Sequence, residues 1–157
     1  MKDVSHARRR LVMAGSAVGA ISAMGFPAIV KAQSDKIRIG HLTPLTGFLG
    51  PLGEYGTMGI KQAIDEVNKA GGVMGRQLEL ITEDSVNPAT AASKAQRMFE
   101  RDGVTCLLGE INSAAGLAIS QVAARNQKIF INTGGNSDEL RGKSCNKFMF
   151  HLECEIG

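Results

Sequence analysis

From Lys36 onward the chain alternates between two hydrophobic rhythms, and that alternation restricts the fold more than any other feature. Lys36-Ile37-Arg38-Ile39-Gly40-His41 repeats with period two and predicts a first strand. A Gly- and Pro-rich loop follows over 42–53, and then Ile60, Ala63, Ile64 and Val67 share one face of a helix over 55–70 that Gly71-Gly72 stops. Residues 77–83 form a second strand, with Leu78 and Leu80 on one side. Asn87-Pro88 supplies an N-cap and a first-turn proline for a helix reaching Arg101, which turns Ala91, Ala95, Met98 and Phe99 inward. Residues 104–109 are nearly all apolar, as expected of a strand covered on both faces. Ser113 can cap a helix running to Arg125, with Ala115, Ile119, Val122 and Ala123 inward; strands at 128–132 and 148–152 follow, with a single helical turn near 138–141 between them. Short connections between alternating strands and helices imply right-handed crossovers. The expected fold is therefore α/β, a doubly wound parallel sheet with helices on both faces. Ligands gather at the carboxyl ends of the strands in such sheets, which brings the loops 42–54, 110–113 and 132–138 together.

Charge separates the first 32 residues from this body. The 157-residue chain carries a net +3, yet residues 1–32 hold Lys2, Arg8, Arg9, Arg10 and Lys31 against Asp3 alone, a balance of +4. The remainder is −1, with no basic cluster to neutralise phosphates, so no nucleic-acid partner is expected. Arg8-Arg9-Arg10 precedes an apolar run rich in Gly, Ala and Ser that ends at Pro27, and Val30-Lys31-Ala32 places compact residues where a signal peptidase reads. We expect a cleaved export signal over 1–32, cut near Ala32, and a mature domain over 33–157 in the periplasm. Ala7-Arg8-Arg9-Arg10-Leu11-Val12 is similar to the twin-arginine motif, with Ala7 where Ser or Thr is usual, and general export is the other route. The Gly and Ser interruptions make the run a poor spanning helix.

The body carries no catalytic or cofactor signature. Gly47-Phe48-Leu49-Gly50-Pro51-Leu52-Gly53 is not G-x-G-x-x-G, and Pro51 removes an amide that could face a phosphate. Gly135 to Gly142-Lys143-Ser144 ends like a P-loop, but six residues separate the glycines and a strand, not a helix, follows. His41 and His151 are the histidines outside the signal; His41, at a strand end, is read as a satisfied structural histidine. Glu83-Asp84 point to opposite faces of a strand and are read as a solvated strand end. Cys106 is read as a buried inert thiol and Cys145 as the better disulfide candidate, with its partner open; none of Cys106, Cys145 and Cys154 has metal-ligand spacing. No enzyme activity, metal or cofactor is expected. A hydrolase on the same sheet is disfavoured by the lack of a G-x-S-x-G elbow.

Several stretches carry a family likeness: Pro44-Leu45-Thr46-Gly47 with Tyr55-Gly56 and Gly59, then 63–78 with its N-x-x-G-G-V-x-G run. Glu83-Asp84 with Asn87-Pro88, then Leu108-Gly109-Glu110-Ile111-Asn112-Ser113, and Ile131-Asn132-Thr133-Gly134 complete the set. Together they resemble the N-terminal lobe of the leucine/isoleucine/valine-binding family of ABC-transporter solute receptors, the type I periplasmic binding proteins. The resemblance implies a receptor that grips a small polar solute between two lobes and hands it to an inner-membrane ABC permease. A branched-chain or related amino acid leads among the solutes, with an aromatic acid or amide as other options. Its implied ligand-binding residues are Asn112 and Ser113 at a helix start, and Gly134, Asn136 and Ser137 after the next strand. A threonine common in amino-acid binders falls on Asn136 or Ser137, depending on alignment. Leu140-Arg141-Gly142-Lys143-Ser144-Cys145 is similar to the L-T-G-K-x-C segment of members that take aromatic acids or other small carboxylates. Members of the family have two lobes and act as monomers when full length, so 33–157 is expected to be one lobe of a longer architecture, a fragment or truncated product that binds ligand weakly or not at all by itself. An amide- or amino-acid-sensing regulatory domain on the same fold is the alternative.

Overall fold

The computed structural model describes residues 36–152. The export signal expected at 1–32, its cleavage site and Cys154 lie outside the described residues. Nine elements alternate as expected: β1 (Ile37–Thr43), α1 (Gly50–Lys69), β2 (Leu78–Asp84), α2 (Pro88–Glu100), β3 (Cys106–Gly109), α3 (Ser113–Asn126), β4 (Ile129–Asn132), α4 (Asp138–Arg141) and β5 (Met149–His151). The strands form one parallel sheet in the order β2-β1-β3-β4-β5. The chain leaves β1 toward β2, returns across it to β3, and then proceeds in one direction. Right-handed crossovers therefore place α1 on one side and α2, α3 and α4 on the other.

The α2–α3 side is the core. Strand side chains alternate, so Leu42, Leu107, Phe130 and Met149 share one face, and they cluster with Met98, Ile119 and Val122 of the helices. Leu42, Leu107 and Phe130 are wholly inaccessible. A side chain at Gly40 would run into Leu107 and crowd Val104 and Met98, so the core packs directly against the backbone of β1. The four residues expected to face inward from α2 do so, and Asn87 caps that helix by accepting the Thr90 amide at 2.9 Å.

The α1 side differs from expectation in two ways. Helix α1 begins at Gly50, five residues before the predicted start, because Pro51 falls in its first turn, where a missing N–H costs no helical hydrogen bond. Of its predicted inward residues Ile64 is buried, whereas Ala63 and Val67 are exposed; the buried stripe is instead Gly50, Gly53, Thr57 and Ile64. The helix thus lies shallowly over the β2 side of the sheet. Farther along the same face Ile129 and Phe150 are 44% and 52% exposed, and Leu108 and Cys106 are half-buried. Strand β3 is therefore covered fully on one face only, among the described residues. Cys106 is a free, half-buried thiol pushed up by desolvation, and Cys145 is free and exposed.

The two faces should respond differently to truncation. Leu107→Ala is expected to cost about 2–5 kcal/mol in urea unfolding, and Ile129→Ala on the half-covered face no more than about 1 kcal/mol.

Candidate functional site

Parallel pairing puts every strand's carboxyl end at one edge. Four loops meet there rather than the three expected, because 85–87 after β2 joins those following β1, β3 and β4. Between the first two of these loops and the start of α3 lies a cavity of about 360 Å³, lined by Pro44, Thr46, Gly47, Phe48, Leu49, Ser85, Val86, Asn87, Asn112 and Ala115. Its position between β1 and β3 is the point where the strand order reverses. Of the residues predicted to bind ligand, Asn112 lines this cavity. Ser113 and Ser137 meet beside it, on the β3–β4 side, where the Ser137 amide donates to Ser113 Oγ at 3.2 Å. Gly134 belongs to the same cluster: a Cβ there would sit 2.4 Å from Ile111 Cγ2, so any larger residue would push the two loops apart.

The start of α3 is built differently from expectation. Asn112, not Ser113, is the N-cap: its backbone is extended and its Oδ1 accepts the Ala115 amide at 3.1 Å. Ser113 is thereby the first helical residue and its hydroxyl is released from capping. The Asn112 carbonyl accepts the Gly116 amide at 2.8 Å. In the same way Ser137 Oγ caps α4 by accepting the Glu139 amide at 3.3 Å.

Charged residues taken for surface features hold the loops in place. Asp84 accepts the Leu45 amide at 2.9 Å and the Val86 amide at 3.0 Å through Oδ1, and the Thr46 hydroxyl at 2.6 Å through Oδ2. Burial alone would raise its carboxyl, but the hydroxyl, the two amides and the charge of Lys94 together hold it below the usual range. Glu83, on the opposite face, pairs with Arg97 and with Lys94 at 3.6 Å. The pair is therefore a structural junction and not a solvated strand end. Val86, a β-branched residue at φ 58°, is kept in the left-handed region with its amide tied to Asp84. Glu110 is wholly buried at φ 68°, with its carboxyl pushed up by burial and drawn back by the Asn112 amide and the Ser85 side chain. In the sequence Glu110 and Asn132 stand only within motifs, and nothing local marks either as buried.

The two histidines among the described residues are both structural. His151 donates from Nε2 to the Gly135 carbonyl and so braces the 134–137 loop. His41 is 2% exposed and, contrary to expectation, its Nδ1 has no partner among the described residues. Burial, aided by the charge of Lys61, lowers its pKa from 6.5 to about 4. The unfolded chain therefore binds a proton that the folded chain refuses between those values, so His41 makes stability rise with pH over that window. His41→Gln is expected to flatten the part of the urea-unfolding profile between pH 6.5 and pH 4 that wild type loses on acidification.

A family profile described as periplasmic binding protein matches residues 36–153. The chain is 34% identical over 134 residues to Leu/Ile/Val-binding protein homolog 8 of Brucella suis biovar 1, covering 85% of this chain and 32% of that protein. Among solved structures, a periplasmic binding protein from Burkholderia mallei is 33% identical with a TM-score of 0.69, over 73% of this chain and 31% of its own. The branched-chain amino acid transporter substrate-binding protein LivJ of Streptococcus pneumoniae, determined with isoleucine, is 27% identical with a TM-score of 0.69, over 74% of this chain and 33% of its own. The chain thus spans about a third of the length of the proteins it matches. With the strand order, the family profile and these relatives in agreement, the chain belongs to the periplasmic binding protein family.

Proposed function

We propose that residues 36–152 form one lobe of the substrate-binding component of an ABC transporter, which captures a small carboxylated solute in the periplasm and delivers it to an inner-membrane permease. The observation that carries this reading is the state of Ser113. Its oxygen already accepts the Ser137 amide, so its hydroxyl hydrogen is left to donate. It stands in the first turn of α3, where Ala115 and Gly116 amides are satisfied by Asn112, and the Ser113 and Ala114 amides remain as first-turn donors. A hydroxyl and two amides at a helix N-terminus suit an anion, and a carboxylate is the anion every amino acid carries. Phe48, 97% exposed, and Val86, 59% exposed, supply apolar surface at the neighbouring cavity for a hydrocarbon side chain. A branched-chain or related amino acid fits this combination best, and the relatives named for Leu/Ile/Val binding support it. Asn112 contributes its side-chain Nδ2, Gly134 and Asn136 their backbone, and Ser137 its hydroxyl. Residues 1–32 act as the cleaved export signal.

The mechanism is closure. A solute bound to this lobe favours a closed arrangement only by adding contacts to a second lobe, so a single lobe captures weakly. Amide chemical shifts of Ser113, Gly134 and Ser137 in the 157-residue chain should move on titration with L-leucine and saturate at about millimolar concentration. Ser113→Ala should abolish the shifts while leaving the unfolding midpoint nearly unchanged. Micromolar affinity for leucine would overturn the single-lobe reading, and an absence of shifts with leucine, benzoate and acetamide alike would overturn the solute-binding one.

A further inference from the structure

We propose that Glu110 and Asn132 are the positioning residues of this half-site, together holding the loops that carry Ser113 and 134–137 in register before any solute arrives. The proposal rests on the solute-binding reading for the purpose of that geometry, though not for its existence.

Asn132 ends β4 with its side chain wholly buried. Its Nδ2 donates to the Glu110 carbonyl at 3.1 Å, and its Oδ1 accepts the Gly135 amide at 2.8 Å. A single carboxamide therefore spans the loops after β3 and β4, using a donor toward one and an acceptor toward the other. Asp lacks the donor and Leu lacks both. Space is reserved for it: a Cβ at Gly116 would lie 2.9 Å from Nδ2, and one at Gly135 would lie 3.0 Å from Oδ1. Two glycines on different elements thus make room for the same group.

Glu110 supplies the second constraint. Its backbone amide donates to the Leu42 carbonyl at 2.8 Å, which anchors the turn to β1. Its Oε1 accepts the Asn112 amide at 2.7 Å and so fixes the residue that caps α3. The Ser85 side chain, on the 85–87 loop, is near enough to offset part of the effect of burial on this carboxyl, while Asp84 on β2 is the charged neighbour whose field reaches it; Oε2 has no hydrogen-bond partner among the described residues. Among the described residues no cation is bonded to this carboxyl. A buried acid in that position has a further consequence. It already occupies the Asn112 amide, so an incoming anion is directed to the donors of Ser113 and Ala114. Both residues act through the loops and touch no solute themselves.

The test uses the ¹⁵N-labelled 157-residue chain without ligand and reads amide hydrogen exchange. Glu110→Ala should speed exchange at Asn112 and Ala115, and Asn132→Leu at Gly135 and Ser137, by about tenfold relative to Val122 and Ala123 of α3. Glu110→Gln, which keeps an acceptor for the Asn112 amide, should restore slow exchange. The Asn112 amide resonance of wild type should also move with pH in a step that Glu110→Gln lacks, a readout that stands even if the alanine variant does not fold. Equal acceleration at Val122 and Ala123 would reduce both residues to general stabilisers and overturn the proposal, as would unchanged loop amides or a pH-insensitive Asn112 resonance. Because no solute enters the experiment, its failure leaves the binding reading standing, and failure of leucine to bind leaves ordered loops to be explained.

Discussion

Strand β1 is hydrogen-bonded on both sides, and the rest of the lobe depends on that pairing. Its register sets Leu42 beside Glu83 of β2 and beside Gly109 of β3, so three strands finish at one level. Extra bonds extend the pairing past the strands: the Thr43 carbonyl accepts the Ser85 amide at 2.9 Å, and the Leu42 carbonyl accepts the Glu110 amide. The loops of the site thus begin as continuations of the sheet. Behind β1, Gly40 permits Leu107, Val104 and Met98 to close against the backbone, and Leu42 is sealed beneath α2 and α3. A slip of one residue would exchange the buried and half-covered faces and would separate these loop starts.

From that level edge, polar chemistry replaces apolar packing. Backbone leaving a sheet must satisfy amides and carbonyls that the ladder no longer reaches. Here Asp84 serves the first two loops, Glu110 and Asn132 serve the next two, and His151 steadies the last from β5. Each side chain bonds chiefly to backbone, which makes the loop ends as definite as the strands that precede them. The first turn of α3 stands within this frame with Ser113 unburdened by capping, and that is why a surface serine acquires a directional hydroxyl.

Most of the architecture was legible because periodicity and capping are local. The apolar set of α2, its Asn87 cap and the single turn of α4 follow from spacing alone. Helix α1 was less legible: a Gly- and Pro-rich opening resembles a loop, and only docking over the sheet reveals that Pro51 sits harmlessly in a first turn. The sidedness of β3 was also hidden. An all-apolar strand does not say which neighbours reach it, and here α1 lies toward β2 and leaves Ile129 and Phe150 partly open. Among site residues, Ser113 was accessible through its place before an amphipathic run, although the cap proved to be its neighbour Asn112, since both residue types can fill that role and backbone conformation alone separates them.

The sequence by itself determined the order of strands and helices, hence a parallel doubly wound sheet and a cluster of loops at its carboxyl edge, because hydrophobic period and chain handedness act over short spans. It also confined the positive charge to the first 32 residues and left the body near neutral. Tertiary structure decided what the polar residues do. Burial of Glu110, Asn132 and His41, the loop-holding role of Asp84 and the pairing of Ser113 with Ser137 all arise between residues distant in the chain. Desolvation and hydrogen-bond direction depend on what surrounds a side chain in space, and no local pattern encodes those surroundings.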